Sequence, residues 1–302
     1  PSSEESAREG PGQEGTGQEG TGQEGNREEG AGQEGNREEV MTAVEVIVHP
    51  DSESLAASVA ARLITSIIDA QVAHGDAGVV LTGGGMGGKS QRAVVANPAA
   101  RAVAWDAVDF YWGDERFVAA TDPDRNEKQA YDAMLSALPI DQARVHAMPA
   151  TGGSWGDDPV AAADAHAAEL ARVAAGQGAS GGLAVPRFDV LMLGVGPDAH
   201  IASLFPEHGE TTVADRTVVP VTDSPKPPPT RLSFTFPVIC SATEVWLVAA
   251  GQEKAAALAE ALAPGADRNR YPAAGAVGTR RTLALIDESA ASELPDSLRH
   301  RS

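Results

Sequence analysis

Short β-branched runs alternate with helix-forming segments along most of the chain, a pattern that few folds accommodate. It begins with the run Val44–His49, after which Asp51 or Ser52 can cap a helix that continues to about Ala73. It ends with the run Thr282–Asp287. Strands that alternate with helices are typical of a parallel sheet whose crossover helices cover both faces. The pattern therefore predicts an α/β, Rossmann-like domain with a largely parallel β-sheet flanked by helices.

The other strand-like runs lie between these two ends, at 78–82, 108–112, 188–194, 217–221, 231–236 and 244–251. The other predicted helices are a short one that Asn97-Pro98 must end and those at 128–138, 159–174 and 253–263. In open α/β sheets, ligands bind beyond the carboxyl ends of the strands. The glycine-rich segment 83–88, "GDER" from Gly113 and "GVGPDAH" from Gly194 all follow predicted strands. We therefore expect the functional site at that edge of the sheet.

The first forty residues have a different character, because they consist largely of five-residue units such as GTGQE and GNREE. Gly, Gln and Glu at this density, with almost nothing apolar, cannot offset the entropy cost of ordering. The sequence predicts a disordered acidic repeat tail over residues 1–40 and one folded domain over residues 41–302. We interpret the tail as a solvating extension or a stretch translated ahead of a start at Met41, with an acidic interaction tail as the alternative.

Charge and composition narrow the expected partners and compartment. The formal net charge of −20 disfavours a nucleic-acid partner, since phosphate neutralisation needs basic patches. The single cysteine, Cys240, excludes an internal disulfide and a cysteine-rich zinc site. We expect no apolar run of the roughly 20 residues that span a bilayer, and no signal-peptide core. The expectation is a cytoplasmic protein that binds neither nucleic acid nor membrane.

The segment Gly83–Ser90 matches G-x-x-x-x-G-K-S, the phosphate-binding signature of nucleotide triphosphatases. Asp114, which follows an apolar run, could hold a metal ion in such an enzyme. Against this hypothesis, the helix expected after Lys89 is short, and no segment stands out for base recognition. The broader interpretation is that backbone N–H groups of Gly83–Gly88 and a helix N-terminus bind some phosphate. A tight turn without a ligand is the alternative.

Among seven histidines, His200 is the strongest candidate for chemistry. It follows a buried strand and a glycine turn, and Asp198 is placed to cap a helix with His200 in its first turn. The positive end of a helix disfavours imidazolium, so this histidine would stay neutral and accept a proton. No histidines show metal-ligand spacing, so no metal site is predicted. Ser154 in a G-x-S-x-G match is rejected as a nucleophile, because no strand-turn-helix surrounds it.

Five blocks, taken in order, resemble the 6-phosphogluconolactonase family over nearly all of residues 41–290. They are LTGGGMGG, DFYWGDERFV…DRNEKQA, FDVLMLGVGPDAHIASLFPEH, SPKPPPTRLSFTFPVI and VWLVAAGQEKAAAL…YPAAGAV. The sister family of glucosamine-6-phosphate deaminases shares the fold but places a Glu where this chain has Phe205. Its Asp-Glu-Tyr-like turn reads Asp114-Glu115-Arg116 here. Both differences favour the lactonase.

The resemblance implies hydrolysis of 6-phospho-D-glucono-1,5-lactone to 6-phosphogluconate, in the oxidative pentose phosphate pathway, without metal or cofactor. His200 would act as general base on water. Asp198 would orient the imidazole or, in the preferred interpretation, cap the helix. Arg116, Lys226 and Arg231 are expected to bind the phosphate dianion. The other assigned substrate contacts are Gly83, Gly84, Gly85, Asp114 and Gly196.

Two residues depart from the family pattern. Ala199 stands where the family has Gly, which costs about 1 kcal/mol if φ is positive and nothing if the residue is helical. Met86 replaces a common Ser or Asn and removes one polar contact. Arg125 and Asn126 are expected to shape the loop over the site. The alternative functions are an amino-sugar-phosphate deaminase or isomerase, a sugar-phosphate sensor on the same fold and, less favoured, a nucleotide triphosphatase. A monomer or small homo-oligomer is expected.

Overall fold

The computed structural model describes residues 44–179 and 182–299, so the predicted tail lies outside the described residues. Its strands are β1 (Glu45–His49), β2 (Ala77–Leu81), β3 (Val108–Trp112), β4 (Asp114–Arg116), β5 (Val190–Gly194), β6 (Val218–Val221), β7 (Arg231–Phe234), β8 (Glu244–Ala249) and β9 (Arg281–Asp287). Its α-helices are α1 (Ser52–His74), α2 (Gly84–Ala96), α3 (Asn126–Ala133), α4 (Pro159–Gly176), α5 (Phe236–Ile239), α6 (Ala255–Ala261) and α7 (Asp296–Arg299).

Six of the strands form one sheet in the order β1-β9-β8-β5-β2-β3. Every pairing within this sheet is parallel. One core cluster joins it to α1, α2 and α3 through residues such as Leu63, Val94 and Ala130. The other cluster includes Leu170 of α4 and Leu258 of α6. The predicted α/β fold, with a largely parallel sheet flanked by helices, is therefore confirmed.

Helix α1 packs in the core next to this sheet. The Asp51 carboxylate caps it by accepting a hydrogen bond from the Ser54 backbone N–H at 2.7 Å. Gly75 ends it with a φ of 88°, which glycine adopts without Cβ strain. By length and composition alone α1 could cross a bilayer, so the expectation of no such run is wrong. Its buried face packs within a core cluster, and this packing accounts for its apolar content.

A second sheet, of order β4-β7-β6, is antiparallel. The sequence pattern marked β6 and β7 as strands but treated Asp114–Arg116 as loop, which is wrong. Three residues are too few to display the alternation that identifies a strand. In the register of this sheet, Arg116 lies opposite Arg231. The small sheet therefore brings together two arginines that are far apart in the chain.

Two predicted helices are shorter than expected. The helix predicted over 128–138 is α3 followed by a separate 3-10 turn at Leu135–Ala137. The one predicted over 253–263 is a 3-10 turn at Gln252–Lys254 followed by α6. Helix ends are set by local capping and by neighbouring segments, which apolar periodicity does not report. These differences change element boundaries and leave the order of elements unchanged.

Candidate active site

A cleft of about 540 Å³ lies beyond the carboxyl ends of β2, β3, β5 and β8. This is the edge of the sheet at which the fold predicted a site. Nine of the ten predicted site residues line the cleft: Gly83, Gly84, Gly85, Asp114, Arg116, Gly196, His200, Lys226 and Arg231. The tenth, Asp198, contacts two of them. The structure thus brings all ten together from four separate segments of the chain, 83–85, 114–116, 196–200 and 226–231.

The N-terminus of α2 forms one wall of the cleft. The helix begins at Gly84, so the expected glycine loop is largely the first turn of a 13-residue helix. Gly83 caps it without a side-chain hydrogen bond, which leaves the first backbone N–H groups able to bind an anion. Gly84 has a φ of 77°, a conformation that favours glycine. This wall is suited to a phosphate held by backbone donors.

Two side chains that the nucleotide hypothesis needs have other partners. Lys89 Nζ donates to Ser52 Oγ at 2.8 Å and to Glu53 Oε1 at 2.6 Å. Asp114 Oδ2 accepts from Ser203 Oγ at 2.6 Å. Among residues 44–179 and 182–299, no three potential metal-ligating His, Cys, Asp or Glu side chains form a cluster. The Lys89 charge is paired with a carboxylate, and this arrangement does not favour triphosphate binding.

The turn after β5 carries His200, but no helix forms there within the described residues. The Gly196 backbone N–H donates to His200 O at 2.9 Å, and Val195 pairs antiparallel with Ile201. This closure folds the chain back on itself before a helical turn can start. The prediction that Asp198 caps a helix is therefore wrong. Its Oδ1 lies 2.5 Å from His200 Nδ1 instead.

The contact between His200 and Asp198 determines which ring nitrogen is available. We assign the proton to Nδ1, which donates to the carboxylate, and this leaves Nε2 as the acceptor. Nε2 has no hydrogen-bond partner in the described part of the chain, and the 16% exposed side chain lines the cleft. Lys226 Nζ lies 3.2 Å from Asp198 Oδ1 and 3.1 Å from His200 Nδ1. Burial opposes ionisation, but the His200 hydrogen bond and Lys226 hold the pKa of Asp198 well below its usual range.

Small residues allow this pair to form. A Cβ at Gly196 would lie 1.9 Å from His200 Nδ1 and 2.5 Å from Asp198 Oδ1. Ala199 has a φ of 64°, so its departure from the family glycine does carry a backbone cost of about 1 kcal/mol. Its methyl group is fully buried in the core, which offsets part of that cost. Met86, the other departure, lines the cleft and packs against the core.

Two arginines complete the opposite wall. Arg116 Nη1 donates to Asn126 Oδ1 at 2.5 Å. Arg231 is only 5% exposed, and its Nη2 donates to the backbone oxygens of Lys226 and Pro227, each at 3.2 Å. The guanidinium of Arg231 therefore holds the proline-rich segment that carries Lys226. Each arginine retains donors for an anion, because a guanidinium has five N–H groups.

The sequence analysis missed Lys254, which lines the cleft. Burial lowers the pKa of its ammonium group, and the neighbouring charge of Lys226 acts in the same direction. A signal was present, since Lys254 follows the carboxyl end of β8 by a few residues. Applying the strand-end rule to this predicted strand would have included it.

Comparisons with known proteins identify the family of this chain. A family model described as glucosamine-6-phosphate isomerases/6-phosphogluconolactonase matches residues 50–285. The 6-phosphogluconolactonase of Streptomyces coelicolor is 52% identical over 254 residues, which cover 84% of this chain and 96% of the relative. That of Mycobacterium tuberculosis is 45% identical over 82% of this chain and 97% of its own. The solved 6-phosphogluconolactonase from Trypanosoma brucei shares the fold, with a TM-score of 0.71 and 23% identity over 84% of this chain and 100% of that chain.

The chain belongs to the family of glucosamine-6-phosphate isomerases and 6-phosphogluconolactonases. Within this family it is a hydrolase that groups with the 6-phosphogluconolactonases. The resemblance drawn from five sequence blocks is thereby confirmed.

Proposed function

We propose that this chain hydrolyses 6-phospho-D-glucono-1,5-lactone to 6-phosphogluconate, with His200 as general base and without a metal. One observation carries the proposal: an imidazole backed by Asp198 has an open nitrogen in the same cleft as a helix N-terminus suited to phosphate. A lactone is an activated ester. It therefore needs a positioned base and charge stabilisation, but neither a covalent nucleophile nor a Lewis acid.

The proton path follows from the tautomer of His200. Nε2 takes a proton from water as the water oxygen attacks the lactone carbonyl carbon, and the carbonyl oxygen becomes an oxyanion. Asp198 stabilises the imidazolium through the Nδ1 hydrogen bond. Collapse of the tetrahedral intermediate breaks the bond to the ring oxygen, which receives the proton back from Nε2. The product acid then releases one proton to solution at neutral pH.

Charge stabilisation comes from the walls of the cleft. The oxyanion would be met by the positive charges of the cleft rather than by the glycine turn after β5, because the Gly194 and Gly196 N–H groups already donate to Thr82 Oγ1 and His200 O. The phosphate dianion would bind at the α2 N-terminus with Arg116 and Arg231. Lys226 remains a proposed phosphate ligand, although it also contacts Asp198. Lys254 adds a further positive charge, so these side chains concentrate positive potential in a chain of net charge −20.

The other functions considered for this fold have less support. Phe205 occupies the position of the acid in deaminases, and its 1% exposed ring lies 4.8 Å from the His200 imidazole between centroids. The Phe205 side chain has no acidic group and cannot supply a proton to the substrate. A sensor would not need the open Nε2 of His200. A nucleotide triphosphatase would need Lys89 to bind phosphate, but that side chain is paired with Glu53.

We also propose that the protein is a cytoplasmic monomer or small homo-oligomer with no nucleic-acid or membrane partner. The acidic net charge and the packing of α1 in the core support this proposal.

The test is proton release from freshly generated 6-phosphogluconolactone in the presence of a chelator, for wild type and His200→Ala. We expect wild type to accelerate hydrolysis over the spontaneous rate and the variant to lose that acceleration. No acceleration by wild type would refute the reaction, and chelator-sensitive activity would refute the metal-free mechanism. Ammonia release from glucosamine 6-phosphate is measured in parallel, and its appearance would favour the deaminase.

A further inference from the structure

Asn126 lies beside the cleft and is only 3% exposed. Both the oxygen and the nitrogen of its side-chain amide form hydrogen bonds. Its Oδ1 accepts from Arg116 Nη1 at 2.5 Å. Its Nδ2 donates to the backbone O of Asp114 at 2.8 Å and lies 3.3 Å from Asp114 Oδ1. Because a guanidinium only donates and a carboxylate or carbonyl only accepts, the orientation of the amide is determined by its partners. One side chain therefore joins the first and last residues of β4.

A buried carboxylate ties the same positions together through the main chain. Glu115 is 1% exposed, and its Oε1 accepts from the backbone N–H of Arg116 at 2.8 Å and of Asn126 at 2.7 Å. Its Oε2 accepts from the backbone N–H of Glu127 at 2.9 Å. The carboxylate thus caps α3 from another segment. The contact between Arg116 and Asn126 is therefore preorganised by the backbone.

Asn126 also packs on the residue that caps α2. Gly83 has a φ of −84°, which any residue adopts, so glycine is not required there by the backbone conformation. A Cβ at this position would lie 1.8 Å from Asn126 Oδ1 and 2.5 Å from its Cγ. Glycine at 83 is thus required by the close approach of the Asn126 amide. That amide lies between the N-terminus of α2 and Arg116.

We infer that Asn126 is a positioning residue that holds Arg116 and the N-terminus of α2 in one arrangement for the anionic group of the substrate. The identity of that substrate rests on the proposed function, whereas the contacts do not. Asn126 has no contact with His200, so it governs KM rather than kcat. The carboxylate introduced by Asn126→Asp would repel the oxygens of Asp114 and compete with the substrate for the guanidinium of Arg116.

The test is a double-mutant cycle between Gly83 and Asn126, with kcat and KM measured separately. In wild type, Gly83→Ala is expected to raise KM by roughly tenfold or more, because the new Cβ displaces the amide. In the Asn126→Ala background the same change is expected to alter KM by less than about threefold, because the obstacle is gone. Asn126→Asp is expected to raise KM by roughly tenfold or more, with kcat within about threefold.

Asn97→Asp is the matched control, because it makes the same chemical change at the far end of α2 and retains an acceptor for the Ala99 backbone N–H. It is expected to leave KM and kcat unchanged. Additive effects of Gly83→Ala and Asn126→Ala would overturn the inference. A loss of kcat at unchanged KM in Asn126→Asp would also overturn it.

Two further measurements distinguish a folding defect from a loss of function. Thermal unfolding identifies any variant that fails to fold, and Asn126→Ser then replaces Asn126→Ala in the cycle. If folded wild type does not hydrolyse the lactone, the proposed function fails. The double-mutant cycle between Gly83 and Asn126 is then measured through the Kd values of 6-phosphogluconate and of inorganic phosphate, determined by calorimetry for each variant. The same coupling in Kd would support the positioning role, and equal Kd values across the cycle, or no binding by wild type, would overturn it.

Discussion

His200 and His146 each make a close contact with a carboxylate, and they differ in what their second nitrogen does. His200 Nδ1 contacts Asp198 at 2.5 Å, and its Nε2 has no partner in the described part of the chain. His146 has both nitrogens occupied, with Nδ1 3.0 Å from Glu169 Oε1 and Nε2 2.9 Å from Asp109 Oδ1. An imidazole with both nitrogens engaged has no site for a substrate proton.

The surroundings of the two histidines also differ, because His146 is buried away from the cleft and His200 lines it. His146 is 5% exposed, stacks on Tyr111 with 4.5 Å between ring centroids, and does not line the cleft. Its partner Asp109 is also paired with Arg144 at 2.7 Å. This cluster joins β3 to α4 and stabilises the fold. A contact between histidine and carboxylate is therefore insufficient as a sign of catalysis, whereas an open nitrogen in a cleft is informative.

The largest expected effect is that of His200→Ala on activity. Removal of the proposed base is expected to lower kcat by roughly 10²–10⁴-fold, with little change in thermal unfolding, because the side chain is partly exposed. Steady-state kinetics and calorimetric binding of 6-phosphogluconate check this, with His74→Ala as an exposed-histidine control. Near wild-type kcat in the variant would remove the distinction between the two histidines.

His146→Leu is expected to show the opposite pattern. It leaves the buried Asp109 and the Glu169 carboxylate without one partner each, so we expect a loss of unfolding free energy of roughly 2–4 kcal/mol. Below its lowered transition temperature, kcat is expected to stay within about threefold of wild type. Urea unfolding and steady-state kinetics on the same sample measure the unfolding free energy and kcat of the variant. A kcat loss comparable to that of His200→Ala would contradict a structural role.

His166 adds a buried histidine without a carboxylate contact. It is 2% exposed, its Nε2 has no hydrogen-bond partner among the described residues, and burial lowers its pKa to about 4 from 6.5. Between these values the unfolded chain binds more protons than the folded one, so stability falls as pH falls. We expect this group to account for a loss of roughly 2 kcal/mol from pH 7 to pH 5. Urea unfolding of wild type and His166→Leu at both pH values measures it, and equal pH slopes would disprove it.

Gly196→Ala tests whether the open Nε2 of His200 depends for its position on the contact between His200 Nδ1 and Asp198. The new Cβ would collide with His200 Nδ1 and displace it from Asp198. Because misplacement of a reacting group by about 1 Å is costly, kcat is expected to fall by roughly tenfold or more, while the protein still folds. Gly209→Ala, where a Cβ would meet nothing within 4 Å, is the control. Equal kcat in Gly196→Ala and wild type would mean that the pair tolerates displacement.

The smallest expected effect is that of Ala199→Gly. Relief of the positive φ favours the variant by about 1 kcal/mol, but loss of the buried methyl and greater unfolded-state entropy oppose it by a similar amount. The unfolding free energy is therefore expected to change by less than about 1 kcal/mol, with kcat within about twofold. Urea unfolding checks the balance. A destabilisation above about 2 kcal/mol would show that the methyl packing outweighs the strain.

Much of the fold could be predicted from the sequence, because its signals are local. Apolar runs identified the strands of the parallel sheet, and Asp51 marked the start of α1. β4 could not be found, because a three-residue strand is defined by its pairing with Arg231–Phe234 and has no periodicity of its own. The length of α1 was predicted to within one residue, but its apolarity was underestimated, because its polar residues interrupt the apolar run without breaking the helix.

The sequence by itself determined which residue types lie at the carboxyl ends of the strands, and with them the class of site. Only the tertiary structure decided the partner of each side chain. Lys89 is paired with Glu53 because α1 packs against α2, and Asp198 contacts His200 because the turn after β5 folds back on itself. A turn closed by backbone hydrogen bonds from Gly196 N–H to His200 O and from Ala199 N–H to Gly196 O replaced the expected helix after β5. Local propensity leaves both conformations open, and the packing of that turn against the core selects between them.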